Sequence, residues 1–457
     1  MIDLIIIGAG PAGMSAALEA SSYGLDVTIL NEGPEPGGRI YHALERLADH
    51  HPDDVTRLGN DYAEGLNLIK AFHSCAVTLI NDAAVFRLDE DGTVWYTHDD
   101  AAKTIKAKAV LIATGAMERP VPIPAWTLPG VMTAGAAQML LKGDGMIPSG
   151  PVAMAGCGPL LILTACQLLD AGADVRCVID TVQPKDYLAS LPALLGALKA
   201  PFPLLKGIAL RKKLAKSGVE LISGATSLSI SGIDHATGIF VNGRHIDADT
   251  ILLHNGVVPE TQLSRQVGCE HVWNNTQRCW HPDVDEWGES SLKNIHIVGD
   301  GGGIEGALAA WCSGRLSALN IAKQLGKINK TYRDKLARPW QKARRKHLNV
   351  RPFLDRLFKP AEFLLAPTNK ETVICRCEEV RLRAVLKASD LGCPGPNQLK
   401  SFTRAGMGPC QGRLCGLTVS EILAKQKNTS PANIGYYTIR PPVKPVTLSQ
   451  LAKLDQP

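Results

Sequence analysis

Four cysteines near the C-terminus are the residues best placed for chemistry. Cys375 and Cys377 form a Cys-x-Cys pair, and Cys410 and Cys415 a Cys-x4-Cys pair within Ala405-Gly406-Met407-Gly408-Pro409-Cys410-Gln411-Gly412. Val373-Ile374-Cys375-Arg376-Cys377 reads as a short strand, on which side chains two apart point the same way and can grip one iron. A helix is expected over 378–387, with Glu378 and Glu379 in its first turn, and another from 417 to 423. Gly406, Gly408 and Gly412 would free the backbone to turn N–H groups toward the sulfurs. Four thiolates suit zinc or an iron–sulfur centre. Structural zinc usually sits on Cys-x2-4-Cys knuckles, so a [2Fe–2S] cluster is the first expectation, with zinc or no metal as alternatives. Cys393, in Gly392-Cys393-Pro394-Gly395, marks a loop rather than a ligand.

A second site stands at the N-terminus. Leu4-Ile5-Ile6-Ile7 reads as a buried parallel strand. Gly8-Ala9-Gly10-Pro11-Ala12-Gly13 follows and opens a helix, which is the context a dinucleotide loop requires. Gly8 permits the turn, Gly10 lets backbone approach a pyrophosphate, and Gly13 lets the helix pack on the strand. The helix N-terminus then holds the anion. A second strand ends near Glu32, about 20 residues on, where a ribose hydroxyl is usually bound. Three later segments favour FAD over NAD. Pro36-Gly37-Gly38-Arg39-Ile40 resembles the glycine-rich turn after the ribose acid of two-dinucleotide-fold flavoproteins, and Val110-Leu111-Ile112-Ala113-Thr114-Gly115 resembles their strand-end ATG motif. Ile295-His296-Ile297-Val298-Gly299-Asp300 resembles their late strand, a resemblance that implies Asp300 on the ribityl chain.

The βαβ pattern then repeats. Val152-Ala153-Met154-Ala155 leads into Gly156-Cys157-Gly158-Pro159-Leu160-Leu161, and a later strand ends at Asp180. Leu161 replaces the third glycine. Two readings stay open: an adenine nucleotide (ATP or NAD) with Asp180 on its ribose, or a retained fold without a working nicotinamide site. The chain has no Cys-x-x-Cys, so a flavin–disulfide activity is excluded and electrons need another exit. Cys157 and Cys279 read as core thiols before reactive ones. His254 and His296, on or beside apolar strands, read as buried structural residues.

The elements that must position these groups follow from length and composition. A chain of 457 residues with 45% hydrophobic content needs two or three domains. The expected class is α/β, a two-dinucleotide-binding-domain flavoprotein resembling glutathione and thioredoxin reductases. It divides into a discontinuous FAD domain (1–130 and 249–325), an NAD-type insertion (131–248), a basic linker (326–368), a [2Fe–2S] domain (369–428) resembling bacterioferritin-associated ferredoxin, and a Pro-rich tail (429–457). A net charge of +5 and 5% aromatics argue against nucleic-acid binding. No secretory signal or membrane span is read in the chain, and twelve cysteines without a signal imply a reducing compartment. A cytoplasmic location is expected.

Longer stretches carry a resemblance. Ala113-Thr114-Gly115-Ala116-Met117-Glu118-Arg119-Pro120 continues to Leu128-Pro129-Gly130-Val131-Met132-Thr133-Ala134-Gly135-Ala136-Ala137-Gln138. Near the end come Thr403-Arg404-Ala405-Gly406-Met407-Gly408-Pro409-Cys410 and Arg440-Pro441-Pro442-Val443-Lys444-Pro445-Val446. These resemble the FAD-containing α subunit of heteromeric amine or amino-acid dehydrogenases. That family includes the large subunits of octopine and nopaline oxidases, D-hydroxyproline dehydrogenase α, hydrogen cyanide synthase and dye-linked L-proline dehydrogenase. The resemblance implies oxidation of an amino acid, secondary amine or opine on a separate FAD-containing β subunit similar to D-amino-acid or glycine oxidase. It also implies an FMN between subunits, a small third subunit in some members, and a peripheral link to respiratory acceptors at the inner face of the membrane. No general base or carboxylate clamp stands out here, as expected if the catalytic pocket lies on that partner.

Overall fold

The computed structural model describes residues 1–454. Strand Ile2–Ile7 pairs in parallel with Val27–Leu30 on one side and Ala101–Ile112 on the other. Thr78–Ile80 extends the first side, and Ile295–Ile297 adds in parallel to Ala101–Ile112. The twelve-residue strand serves two ends. Its later half lies in the parallel sheet, while its earlier half turns back through an antiparallel meander with Thr93–His98 and Ala84–Leu88. The apolar run 4–7 is buried on both faces, so it reads as a continuous hydrophobic block rather than an alternating strand.

The second sheet is wholly parallel, ordered Glu220–Ser223, Val175–Asp180, Val152–Cys157, Thr250–Asn255, Val131–Thr133. This corrects one expected boundary. Thr250–Asn255, placed with the FAD domain, pairs along its length with Val152–Cys157 and so belongs to the insertion. The chain passes between the two sheets through the antiparallel pair Ala116–Glu118 and Val257–Pro259.

Two further expectations change. Segment 326–368 is no linker. Helix Lys330–Leu348 starts on an Asn329 cap and lies against helix Ala307–Gln324. Two of its basic residues hold it in place: Arg333 donates to Asn320 and stacks 4.0 Å over Trp287, and Arg344 pairs with Glu305. The helix expected over 378–387 begins later, at Leu382, because Val380–Arg381 pairs back on Val373–Cys375. The tail also packs. Tyr437, Ile439 and Val443 are buried in one core with Ile5, Ile7, Val110 and Ile297 of the FAD sheet and Ile374, Val419 and Leu423 of the cysteine domain. Residues 455–457 of that tail lie outside the described residues. No helix among the described residues is long and apolar enough to cross a membrane.

Three imidazoles lie inside this framework. Burial pulls His271 down to about 3 and His281 and His296 to about 4. In the unfolded chain they titrate near 6.5, so the unfolded state binds more protons in the window between those values. Stability is therefore lost as pH falls through it. The urea midpoint is expected to drop steadily from about pH 7 to about pH 4.5, and His296→Gln to remove part of that slope.

Candidate functional site

The N-terminal loop forms a tight glycine cradle. Gly8 has φ +107°, and a Cβ there would lie 2.6 Å from the Ala113 carbonyl oxygen. A Cβ on Gly13 would strike the Gly8 carbonyl, so helix Pro11–Ser21 sits directly on its own strand. Gly10 and Gly38 touch: a Cβ on Gly38 would stand 2.9 Å from the Gly10 Cα. A Cβ on Gly299 would lie 2.9 Å from the Ala12 Cβ, and one on Gly301 3.5 Å from Thr114 Oγ1. Thus 8–13, 37–38, 113–115 and 299–301, far apart in sequence, meet around one helix N-terminus. That helix opens with Pro11 after Gly10 and has no side-chain cap, leaving its first N–H groups free for an anion. Asp300 accepts from the backbone N–H groups of Glu305 and Gly306, which fixes its carboxylate at the end of the turn. Arg39 is exposed, and its carbonyl accepts from buried Lys142, whose pKa burial lowers to about 8. Glu32 is exposed beyond the strand end and pairs with Lys444. The residue beside it, Asn31, is buried and donates to Gly33, Glu35 and Asn81.

The cysteine loop docks against this cradle through one carboxylate. Glu260 donates its backbone N–H to the Gly115 carbonyl, and its carbonyl accepts from Thr114 Oγ1. Its side chain pairs with Arg413 at 2.9 Å, and Arg413 also donates to the carbonyls of Cys410 and Val443. Gln262 donates to the Gln411 carbonyl, and Arg278 pairs with Glu421. A pocket between the two units is lined by Met117, Glu260, Cys279, Trp280, Arg413 and Tyr436, among others. Arg119 is buried nearby with only Gln277 as hydrogen-bond acceptor, leaving Nε and Nη1 unpartnered among the described residues.

The four cysteines come together as two pairs. The Cys415 thiol donates to Cys375, holding Cys375 down at about 6 and Cys415 high. Backbone N–H groups of Gly406, Glu378 and Cys377 also face the Cys375 sulfur. Cys377 interacts with Cys410, and burial raises its thiol. Among the described residues, no group of three or more His, Cys, Asp or Glu side chains is arranged to hold a metal ion. The glycines act differently from one another. Gly408 lies against Cys377, whereas Gly406 and Gly412 make room for the Tyr437 ring, 2.5 Å and 2.7 Å from a hypothetical Cβ. Cys393 donates to the Gly395 carbonyl, apart from both pairs.

The second glycine turn is covered. Gly158 faces the His254 ring, whose Nδ1 lies 2.6 Å from Glu118. Cys157 packs with Val182, Leu357, Phe353 and Phe358, so helix Arg351–Leu357 lies over the strand ends where a dinucleotide would sit. Asp180 is engaged by Arg211 and by the Val182 N–H. Leu161 is buried in the core. Burial pushes both the Cys157 and Cys279 thiols up to about 12, so neither is a nucleophile.

Residues 2–314 match the pyridine nucleotide-disulphide oxidoreductase family, and 369–454 the sarcosine oxidase A3 domain. The chain is 46% identical to the A subunit of the opine oxidase of Rhizobium meliloti, over 99% of this chain and 87% of that one. It is 45% identical to the corresponding subunit of the Agrobacterium tumefaciens (strain Ach5) enzyme, over 99% and 92%. The chain belongs to this family of opine oxidase subunits. Among solved structures it is similar to L-proline dehydrogenase from P. horikoshii, with a TM-score of 0.70 and 19% identity over 99% of this chain and 79% of that one, a likeness of fold. This member of the opine oxidase family is a flavoprotein oxidoreductase with the reductase fold and without that fold's disulfide.

Glu260 and the Arg278–Glu421 pair escaped sequence reading because no local motif marks them, and Arg119, although inside the Ala113–Pro120 stretch, carries no signal of its buried, part-unpartnered state. Gly8→Ala places a side chain at φ +107° against the Ala113 carbonyl. It is expected to cost about 2 kcal/mol or more and to lower the flavin-to-protein ratio of the purified chain, read by absorbance.

Proposed function

We propose that the chain is the electron-transferring FAD and [2Fe–2S] subunit of a hetero-oligomeric dehydrogenase that oxidises an opine, amino acid or secondary amine. C–N oxidation takes place on an FAD-containing partner, and this chain passes the electrons to an acceptor. The observation that carries the reading is the direct contact path from Thr114 and Gly115 through Glu260 to Arg413 and Cys410. The names of the relatives, subunits of opine oxidases, support the complex and the substrate class.

FAD fits the glycine cradle. Gly8, Gly10, Pro11, Ala12 and Gly13 would receive the pyrophosphate at the helix N-terminus, with Gly38, Arg39, Ala113, Thr114, Gly115 and Gly299 around it. Asp300 would hold the ribityl chain and Glu32 a ribose. Cys375, Cys377, Cys410 and Cys415 would hold the cluster. Cys-x-Cys followed by a distant cysteine pair suits two irons better than the Cys-x2-4-Cys knuckles of structural zinc. When bound, the flavin accepts electrons in pairs and releases them singly, and the cluster carries one at a time. The chain's own contribution is to hold both ends rigidly and to keep other thiols out of the chemistry. The second fold serves as scaffold, since Phe358 and His254 occupy the approaches to its glycine turn. An interfacial FMN would sit on a site completed by the partner, since the pocket lined by Glu260 and Arg413 is too small to enclose one.

Three outcomes test this reading. Mixing the purified chain with NADH under anaerobic conditions should leave the flavin oxidised; prompt bleaching would instead make it a self-sufficient nicotinamide-dependent reductase. Cys410→Ser should retain FAD and lose iron and acid-labile sulfide, and a full cluster in that variant refutes the ligand set. The complex co-purified with its partner subunits should reduce a dye with at least one of octopine, nopaline, proline, hydroxyproline or glycine.

A further inference from the structure

We infer that the outward edge of the cysteine domain, around Cys377 and Cys410, is the docking surface for an acidic protein that carries one electron at a time. The inference rests on the electron-transfer role and names the kind of partner that receives the electrons.

The four thiols are not equally enclosed. Cys375 and Cys415 are buried, whereas Cys377 and Cys410 are half-buried and reach the surface. The segment 400–410 brings further groups to this edge. Arg404 pairs with Glu378, the residue after Cys377, at 2.8 Å. Gly408 lies directly against Cys377, and Met407 before it is 46% exposed. Phe402, between Lys400 and Arg404, is 54% exposed. The Lys400 ammonium stands 5.8 Å over the Tyr437 ring, whose hydroxyl lies 3.9 Å from the Cys415 sulfur. An apolar centre of Met407 and Phe402 with a charged rim is the anatomy of a protein contact, and short-lived redox contacts are small.

Charge selects the occupant. Residues 369–454 carry 13 Lys and Arg against five Asp and Glu, more positive charge than the whole chain, whose net is +5. The rest of the chain is therefore net acidic, and the excess positive charge is concentrated on the domain that carries the thiols. Six of the 13 pair with carboxylates. The other seven, Arg376, Lys400 and Arg440 among them, have no carboxylate partner among the described residues, against two acids, Glu379 and Asp390, without a cationic one. Arg376 is exposed between Cys375 and Cys377, and Arg440 is exposed near Lys400. Burial, and then Arg440, lower the Lys400 pKa, as expected of two cations brought together with no anion between them. An acidic partner supplies that anion, steers itself onto the edge and fixes its orientation there. Oxidation of a CH–NH bond to C=N releases two electrons, and two protons that pass to water, so each turnover reduces two carriers by one electron each.

The test uses the purified complex with two haem proteins as probes, the acidic soluble domain of cytochrome b5 and the basic cytochrome c. Calorimetric titration at low salt is expected to show binding of the acidic probe and not of the basic one, weakening as salt is raised. Lys400→Glu with Arg440→Glu should lower both that binding and the second-order rate of haem reduction about tenfold or more, with the neutral pair Lys400→Gln and Arg440→Gln falling between. Iron and flavin content, and substrate oxidation by a small uncharged quinone, should stay unchanged in both. Phe402→Ser should weaken binding without altering its salt dependence. Equal binding of the acidic and basic probes, or binding and reduction by the charge-reversed variant equal to those of the unaltered complex, overturns the proposal. Loss of a co-purifying subunit from that variant overturns it too, assigning the edge to that subunit. Failure of quinone-linked oxidation in the unaltered complex would strike the electron-transfer role, and the calorimetric result, which needs no turnover, would stand by itself.

Discussion

The Glu260–Arg413 ion pair joins the two functional ends of this molecule. Glu260 is held by its backbone to the turn at Thr114 and Gly115, and Arg413 lies between Cys410 and Cys415 in the cysteine loop. Both side chains are largely removed from solvent, where a charge without its partner costs about 3 kcal/mol or more. Each therefore needs the other in place, and the register between the glycine cradle and the thiols follows. The Arg278–Glu421 pair and the buried tail residues Tyr437 and Val443 reinforce the same docking.

The two βαβ units began alike and came to different ends. In the first, helix Pro11–Ser21 presents an uncapped N-terminus to a glycine turn that only small residues and backbone approach, among them Gly38, Ala113 and Gly299. In the second, the corresponding turn faces an imidazole on one side and an aliphatic and aromatic cover on the other. The first turn is open to a pyrophosphate, whereas the approach to the second is lined by His254 and by Phe353, Leu357 and Phe358. The thiols divide similarly. Cys157 and Cys279 are inert through desolvation, while Cys375 is kept acidic by donors aimed at its sulfur.

Much of the fold was legible in the sequence because its signals are local. A run of β-branched residues, a glycine turn and a helix follow within about twenty residues, and backbone sterics allow few alternatives. Boundaries set by pairing were not legible: strand Thr250–Asn255 looks the same whichever sheet receives it. The basic segment 330–348 misled for a related reason. Its charges resemble a solvated face until Asn320, Trp287 and Glu305 supply partners from distant parts of the chain. Gly412 was assigned to backbone donors, yet its missing Cβ accommodates Tyr437, a neighbour 25 positions away.

Residue type and spacing alone carried the α/β class, the glycine turns and the four thiols, since each depends on covalent geometry and on neighbours within one or two turns. Tertiary packing decided which turn stays open, which thiols ionise and how the cysteine loop meets the flavin fold. Those properties depend on burial and on charges brought together across hundreds of residues, where desolvation and pairing outweigh anything a local motif can express.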